Sequence, residues 1–411
     1  MRVRRSFTSA ILRMGTYPPG RRFFAIFPWL SADNRSVGGE DDGMQRVVVA
    51  GLGDAGVLTA MKLAQHFDVV GISSKPGVVS GQELGIRLAR PDDWARHYWI
   101  DFHRYRALDP VRTVHGTLTG VDLGARTVSV DTGAATTIEP YDALVIATGV
   151  RNGFWRHPHR QSNDQIDAEL HAAHVRLAAA STIAVLGGGA AAVSAAANLA
   201  AALPRALVAL YFPGDRALPQ HHERVWRRVQ RRLLDAGVAL HPRHRAVVPE
   251  GFQCDEITSG AVQFSTGQAG AHADAVLWAI GRVRPNTKWL PGELLDEAGF
   301  VEVTDQLQVP GRPEIFAIGD VAASDPLRSS ARNRADGLVA HNVRVQLDRR
   351  GAPRRFRPAA RRWGSVLGAQ PDGLEVFTPT GRAFRFPAWS IERVLQPWIV
   401  KRGIYGGVRD R

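Results

Sequence analysis

The hydrophobic pattern becomes regular at residue 44. MQRVVVAGLG opens with a short, fully apolar run, the signature of a strand buried on both faces. The next stretch, GDAGVLTAMKLAQHF, places Val57, Met61, Leu63 and Ala64 for the inner side of a helix, and FDVVGI predicts a second strand. Residues 113–131 alternate and turn as antiparallel strands do, and YDALVIATGV reads as another buried strand ending in glycine. The scheme then restarts with STIAVLGGG, an alanine-rich helix and ALVALYF. Two such βαβ units in one chain predict an α/β protein with two domains of one architecture. The segment EIFAIGDVA, residues 314–322, has no partner in the second unit and reads as a return to the first, so the second domain is inserted in the first. The expected division is 44–150 with 284–345 for the first domain and 151–283 for the second.

Beyond about residue 350 the pattern changes. RRWGSVLG and LEVFTPTGRAFRFP read as strands with a turn at Pro379, Thr380 and Gly381. In WSIERVLQPWIVKRGIY, Ile391, Val394, Leu395 and Trp398 follow the i, i+3, i+4, i+7 spacing of one helix face, and a break is expected at Pro397. Residues 346–411 are thus expected to form a small C-terminal α+β module. Residues 1–43 show no sustained period. Arg13 interrupts their only candidate signal-peptide core, and they read as a disordered extension or a misassigned start upstream of Met44.

Charge changes this picture only through its placement. Of the net +13, residues 1–43 carry +3, residues 44–350 carry +2 and residues 351–411 carry +8. With the centre nearly neutral, and with Lys62, Lys75, Lys288 and Lys401 the only lysines among 52 basic residues, no specific nucleic-acid binding is expected. No run approaches the roughly 20 apolar residues of a spanning helix. The single cysteine, Cys254, rules out an internal disulfide framework, a CxxC metal site and an intramolecular dithiol pair. The histidines of PQHHERVW and HPRHR lack the companions of a metal site and read as solvated loop or helix-end residues.

Three motifs carry chemistry. In GLGDAG, Gly51 permits a tight turn, Gly53 lets a pyrophosphate approach the backbone, and Gly56 lets helix and strand pack closely, with Asp54 and Ala55 at the helix start. The helix N-terminus then offers N–H groups and partial positive charge to phosphate. GGGAAA repeats the arrangement 136 residues later with Gly187, Gly189, Ala190 and Ala192. In FAIGDVA, a strand ending at Gly319 puts the Asp320 carboxylate where it can accept hydrogen bonds from sugar hydroxyls or cap a helix.

Together with Ala147, Thr148 and Gly149 in ALVIATG and with Gly281, Pro285 and Asn286 in AVLWAIGRVRPNT, these motifs resemble the two-dinucleotide-binding-domain flavoproteins of the pyridine nucleotide-disulfide oxidoreductase superfamily. The resemblance covers about residues 45–345. It implies two Rossmann-like domains, FAD at GLGDAG, NADH or NADPH at GGGAAA, Asp320 on the ribityl chain, and a backbone contact from Leu118 to adenine.

The disulfide reductases of that superfamily carry a CxxxxC beside the flavin, where this chain has VVSGQELG. Direct electron transfer to the acceptor follows. The resemblance then narrows to type-II NADH:quinone oxidoreductases, ferroptosis-suppressor-like quinone reductases, and ferredoxin or rubredoxin reductases.

Four positions depart from the pattern: Ser73 and Ser74 stand where an acid would hold the FAD ribose, Tyr211 where a second acid would select NADH, and Ser194 where a glutamate often follows the second motif. SARNRADG matches a quinone-site motif only loosely. Arg216 could serve NADPH, and Lys75 falls near the flavin or on the solvated surface. The expected function is an FAD-dependent NAD(P)H oxidoreductase acting on a quinone or another small acceptor. The alternatives are a ferredoxin or rubredoxin reductase and a slow-turnover flavoprotein sensor of the apoptosis-inducing-factor kind. A cytoplasmic protein is expected, its tail docking on the flavin domain or on a second copy, or lying peripherally on the inner membrane face.

Overall fold

A computed structural model describes residues 44–151, 153–155, 157–280, 283–328, 335–358 and 360–410. The readings made of residues 1–43, of Gly281 and of most of SARNRADG fall outside the described residues.

The first sheet has six strands in the order Gln308–Val309, Arg312–Ala317, Ala143–Ile146, Arg46–Ala50, Asp68–Ser73, Val111–His115. All neighbours are parallel except the first pair. The unbroken valines of the opening strand follow from burial on both faces. Val47 and Val49 pack toward the helices Asp54–Leu63 and Ala335–Asp348, while Val48 and Ala50 pack against Val128, Val130 and Leu290 on the other side. The second sheet runs Ala239–His241, Leu207–Tyr211, Thr182–Leu186, Ala271–Trp278, Thr258–Val262, with the last strand antiparallel. These are two Rossmann-like doubly wound units, the second arising within the first.

Three elements differ from expectation. Residues 111–115 join the main sheet in parallel, and only Thr117–Asp122, Thr127–Asp131 and Thr136–Pro140 form the antiparallel meander. Periodicity cannot distinguish these partners, because both place alternate side chains on opposite faces. RRWGSVLG contributes a single bridge, Gly364 to Phe377, instead of a strand. The tail helix, Ile391–Ile404, runs through Pro397 with π-type bonding. Ile391 and Gln396 lie on its buried side, and Val394 and Trp398 of the expected inner face are exposed.

The C-terminal module, with a three-stranded sheet over Ala369–Gln370, Gly373–Phe377 and Ala383–Phe386, is pinned to the second unit by charge. Buried Glu375 meets Arg228 at 2.5 Å, and Asp372 meets Arg232 at 2.6 Å, both arginines lying on the helix Glu223–Asp235. Its far end is tied to the first unit by Arg409, which pairs with Asp109 at 2.6 Å.

Candidate functional site

In a doubly wound sheet the ligand crevice opens where strand order reverses, at the carboxyl ends of the strands. Here that point lies between Arg46–Ala50 and Ala143–Ile146, and GLGDAG and ATG meet there. Gly51 takes φ +103°, a left-handed value that favours glycine, and a Cβ on it would stand 2.5 Å from the Ala147 carbonyl oxygen. A Cβ on Gly56 would stand 1.8 Å from the Gly51 oxygen, so the helix sits as close to the turn as glycine permits. Gly53 faces open space, with nothing within 4 Å of the same construction. It is also the N-cap of Asp54–Leu63 and supplies no side-chain cap, so the first-turn N–H groups point toward that space. The Asp54 carboxylate at the helix start accepts from the Ser80 hydroxyl at 2.7 Å.

Around this turn lies an open cleft walled by Gly53, Asp54, Ala55, Lys75, Ala147, Thr148, Gly149, Gly319 and Asp320 among others. All nine were singled out in the sequence. Gly149 and Asn286 are clasped together: Asn286 donates its backbone N–H to the Gly149 oxygen at 3.1 Å and its side-chain amide to the Thr148 oxygen at 3.0 Å, while the Thr148 hydroxyl donates to the Asn286 oxygen at 2.9 Å. Lys75 belongs to the wall and not to the solvated surface. Burial pushes its ammonium down to about 8, against the pull of Glu169 and with the push of Arg87, and its Nζ donates to the His159 carbonyl. His157 and Glu169 also line the cleft, with Nε2 and Oε2 3.7 Å apart, and burial holds His157 below the usual histidine value.

The second turn repeats the first. Gly187 takes φ +137°, and a Cβ there would stand 2.2 Å from the Ala279 oxygen and 3.3 Å from the Ala192 methyl. Gly189, the N-cap of Ala190–Ala202, faces open space. Both turns therefore combine an uncapped helix N-terminus with room for a diphosphate.

Three of the remaining candidates sit elsewhere. Gly56 forms the floor beneath the first turn and Ser73 is buried with its Oγ accepting from the Lys75 N–H at 3.1 Å. Leu118 pairs with Val130 in the meander, outside the cleft wall. Sequence reasoning missed Arg87, His157, Gln161, Ile166 and Glu169, which line the cleft from segments with no motif of their own. The histidines also differ from expectation. His221 is buried and held down to about 4 by burial and by Arg362 and Arg216, and His241 stacks on Tyr211 with ring centroids 4.4 Å apart.

Comparison with known proteins agrees with this geometry. The family model described as pyridine nucleotide-disulphide oxidoreductase matches residues 45–343. The chain is 27% identical over 343 residues to the oxidoreductase ptaL of Pestalotiopsis fici, covering 77% of this chain and 87% of that protein. It is 29% identical over 315 residues to an NADH dehydrogenase-like protein of Mycobacterium tuberculosis, covering 68% and 74%. From the same organism, the type II NADH:quinone oxidoreductase NdhA is 25% identical over 323 residues, covering 68% and 66%. Among solved structures, a ferredoxin reductase from Rhodopseudomonas palustris superposes with a TM-score of 0.57 at 21% identity, covering 76% of this chain and 78% of that one.

Proposed function

Because this chain belongs to the pyridine nucleotide-disulphide oxidoreductase family, whose members use FAD and NAD(P)H, we propose that it carries electrons from NAD(P)H to a quinone or similar small acceptor without a thiol relay. The supporting observation is a pair of glycine turns, each opening an uncapped helix N-terminus onto free space, combined with a cleft wall that contains no cysteine. The segment that follows Ser80 forms the helix Leu84–Ala89, and Cys254 is buried in the second unit among Phe264, Ala273 and Trp278.

The cleft residues fit FAD. Gly51, Gly53 and Gly56 would hold the turn against its diphosphate, and Asp320 could accept hydrogen bonds from its sugar-alcohol hydroxyls. FAD, when bound, supplies the two-electron chemistry that side chains lack. Lys75 places a positive charge on the wall, where electron-rich character builds up in a partly dry site. The Thr148–Asn286 clasp ties together two segments of the cleft wall.

The quinone reading rests on the names of relatives and on the tail. Trp389, Val394, Trp398 and Ile404 are exposed, Arg393 and Arg402 lie among them, and the Arg402 guanidinium sits 5.5 Å from the Trp398 ring. Such a ridge suits the interface of an anionic bilayer, in which quinones dissolve. Among the described residues no helix is long and apolar enough to cross a membrane.

The test is an absorbance spectrum of the purified protein, anaerobic titration with NADH and with NADPH, and then addition of menadione. A flavin spectrum that bleaches within seconds and returns with menadione is expected. A colourless protein that takes up no FAD sinks the reading, and so does a flavin that neither nicotinamide reduces.

A further inference from the structure

The second turn carries information about which nicotinamide it serves. A dinucleotide lying on Gly187–Gly189 extends its adenosine over the end of the neighbouring strand, Leu207–Tyr211. A carboxylate at that strand end bonds the ribose hydroxyls of NADH, whereas a basic residue nearby accommodates the 2′-phosphate of NADPH. Here the strand ends in Tyr211, whose phenol is pushed up by burial and is neutral. Its ring is fixed by His241 at 4.4 Å and Phe264 at 5.1 Å, with His244 edge-on at 5.5 Å. An aromatic wall occupies the place of the acid.

The charged groups beside that wall come from two short loops. The loop after Tyr211 folds onto the phosphate turn: Leu218 donates its N–H to the Gly188 oxygen at 2.7 Å, and Ala217 and Pro213 lie 3.8 Å from a Cβ built on Gly188. It carries Asp215 and Arg216. The loop after His241 is zipped to it through Arg243 N–H to Gly214 oxygen at 3.0 Å and His244 N–H to Phe212 oxygen at 2.9 Å. Arg243 pairs with Asp215 through Nε at 2.5 Å, which neutralises the only acid of the pair of loops and engages one of five guanidinium donors. Arg216 donates to the Pro219 and His221 oxygens at 3.2 and 3.5 Å, and among the described residues no carboxylate pairs with it. His241 and His244 stand beside these arginines, with burial and His244 holding His241 below its ordinary value, while the first loop ends at His221 and His222 and the second continues to Arg245.

We propose that this site selects the 2′-phosphorylated nucleotide, NADPH, with Arg216 and Arg243 as the specificity-determining residues. The inference rests on the dehydrogenase reading and adds the substrate form to it. Bidentate guanidinium contacts to a phosphate are strong and directional, and the aromatic wall keeps that phosphate away from bulk water on one side.

The test uses the flavin-loaded full chain and calorimetric titration with 2′,5′-ADP and with 5′-AMP, which reads the adenosine half without any redox step. The 2′-phosphate is expected to tighten binding about tenfold or more, and the ratio should shrink as salt rises from about 50 to 500 mM. In the Arg216→Ser, Arg243→Ser double variant the two ligands should bind alike, with folding checked by flavin content. Equal affinities in the wild-type chain, tighter 5′-AMP, or a ratio unmoved by either salt or the double variant would overturn the assignment while leaving the dehydrogenase reading in place. Failure of both ligands to bind would overturn the nucleotide site itself and the dehydrogenase reading with it.

Discussion

Replacing Lys75 with methionine keeps the length of the side chain and deletes its charge. In the protein without flavin the ammonium is penalised by burial: its value falls from 10.5 to about 8, which corresponds to about 3 kcal/mol against the charged form. Loss of the bond to the His159 carbonyl returns about 1 kcal/mol of that. Lys75→Met should therefore stabilise the flavin-free protein at pH 7 by roughly 2 kcal/mol, a rise of about 2 to 3 °C in melting temperature for a chain of this size.

The pH dependence has a definite sign. The folded value lies below the unfolded one, so between about pH 8 and 10.5 the unfolded chain holds more protons and wild-type stability rises with pH. The advantage of the variant is complete below pH 8 and narrows as pH climbs. Glu169 and Arg87 are present in both proteins, and loss of the Lys75 charge lets His157 rise toward its ordinary value, an effect that the pH 9.5 measurement does not contain. Differential scanning calorimetry of both proteins at pH 7 and 9.5 checks this. A variant that melts below wild type at pH 7, or a gap that does not narrow, refutes the idea that Lys75 is a strained cation awaiting an electron-rich partner. With flavin bound the order reverses in function: Lys75→Met should lower menadione turnover by about tenfold or more, and Lys75→Arg should retain most of it.

Three other outcomes follow from the same geometry. Gly56→Ala forces a methyl to within 1.8 Å of the Gly51 oxygen, so it should abolish retained flavin, read as the ratio of absorbance at 450 nm to that at 280 nm. Gly189→Ala meets nothing within 4 Å and should fold with full flavin content, yet its methyl stands where the diphosphate approaches, so the KM for the nicotinamide should rise at least about tenfold. Normal KM in that variant would place the dinucleotide elsewhere. Changing both Trp389 and Trp398 to serine should reduce cosedimentation with anionic vesicles several-fold while soluble menadione activity persists, and unchanged cosedimentation would remove the tail from the membrane reading.

Both glycine turns were readable in the linear chain because each is a local device: a strand, a glycine that needs positive φ, and a helix start, all within a few residues of one another. Gly51, Gly53 and Gly56 have nearly the same surroundings in the structure as their spacing demands. The lack of a thiol pair is equally a property of composition, and so is the return of EIFAIGDVA to the first sheet, since no strand or helix of the second unit was left to pair with it. The wall of the cleft beyond the motifs was not readable. Lys75, His157 and Glu169 come together only because the strand Asp68–Ser73 and the helix Asn163–Ala178 converge on one crevice, and no period or motif encodes that approach. The fate of Tyr211 was decided the same way. Alone it is a strand-end residue without charge, and only the parallel pairing of Tyr211 with His241 builds the aromatic wall beside two arginines. The tail shows the limit most sharply, because apolar spacing assigns an inner face only after the turn size is known. In the folded chain this helix has π-type bonding, buries Ile391 and Gln396 and leaves Trp398 in solvent. Short-range sterics are written residue by residue, whereas the meeting of distant segments depends on the free energy of the whole packed chain.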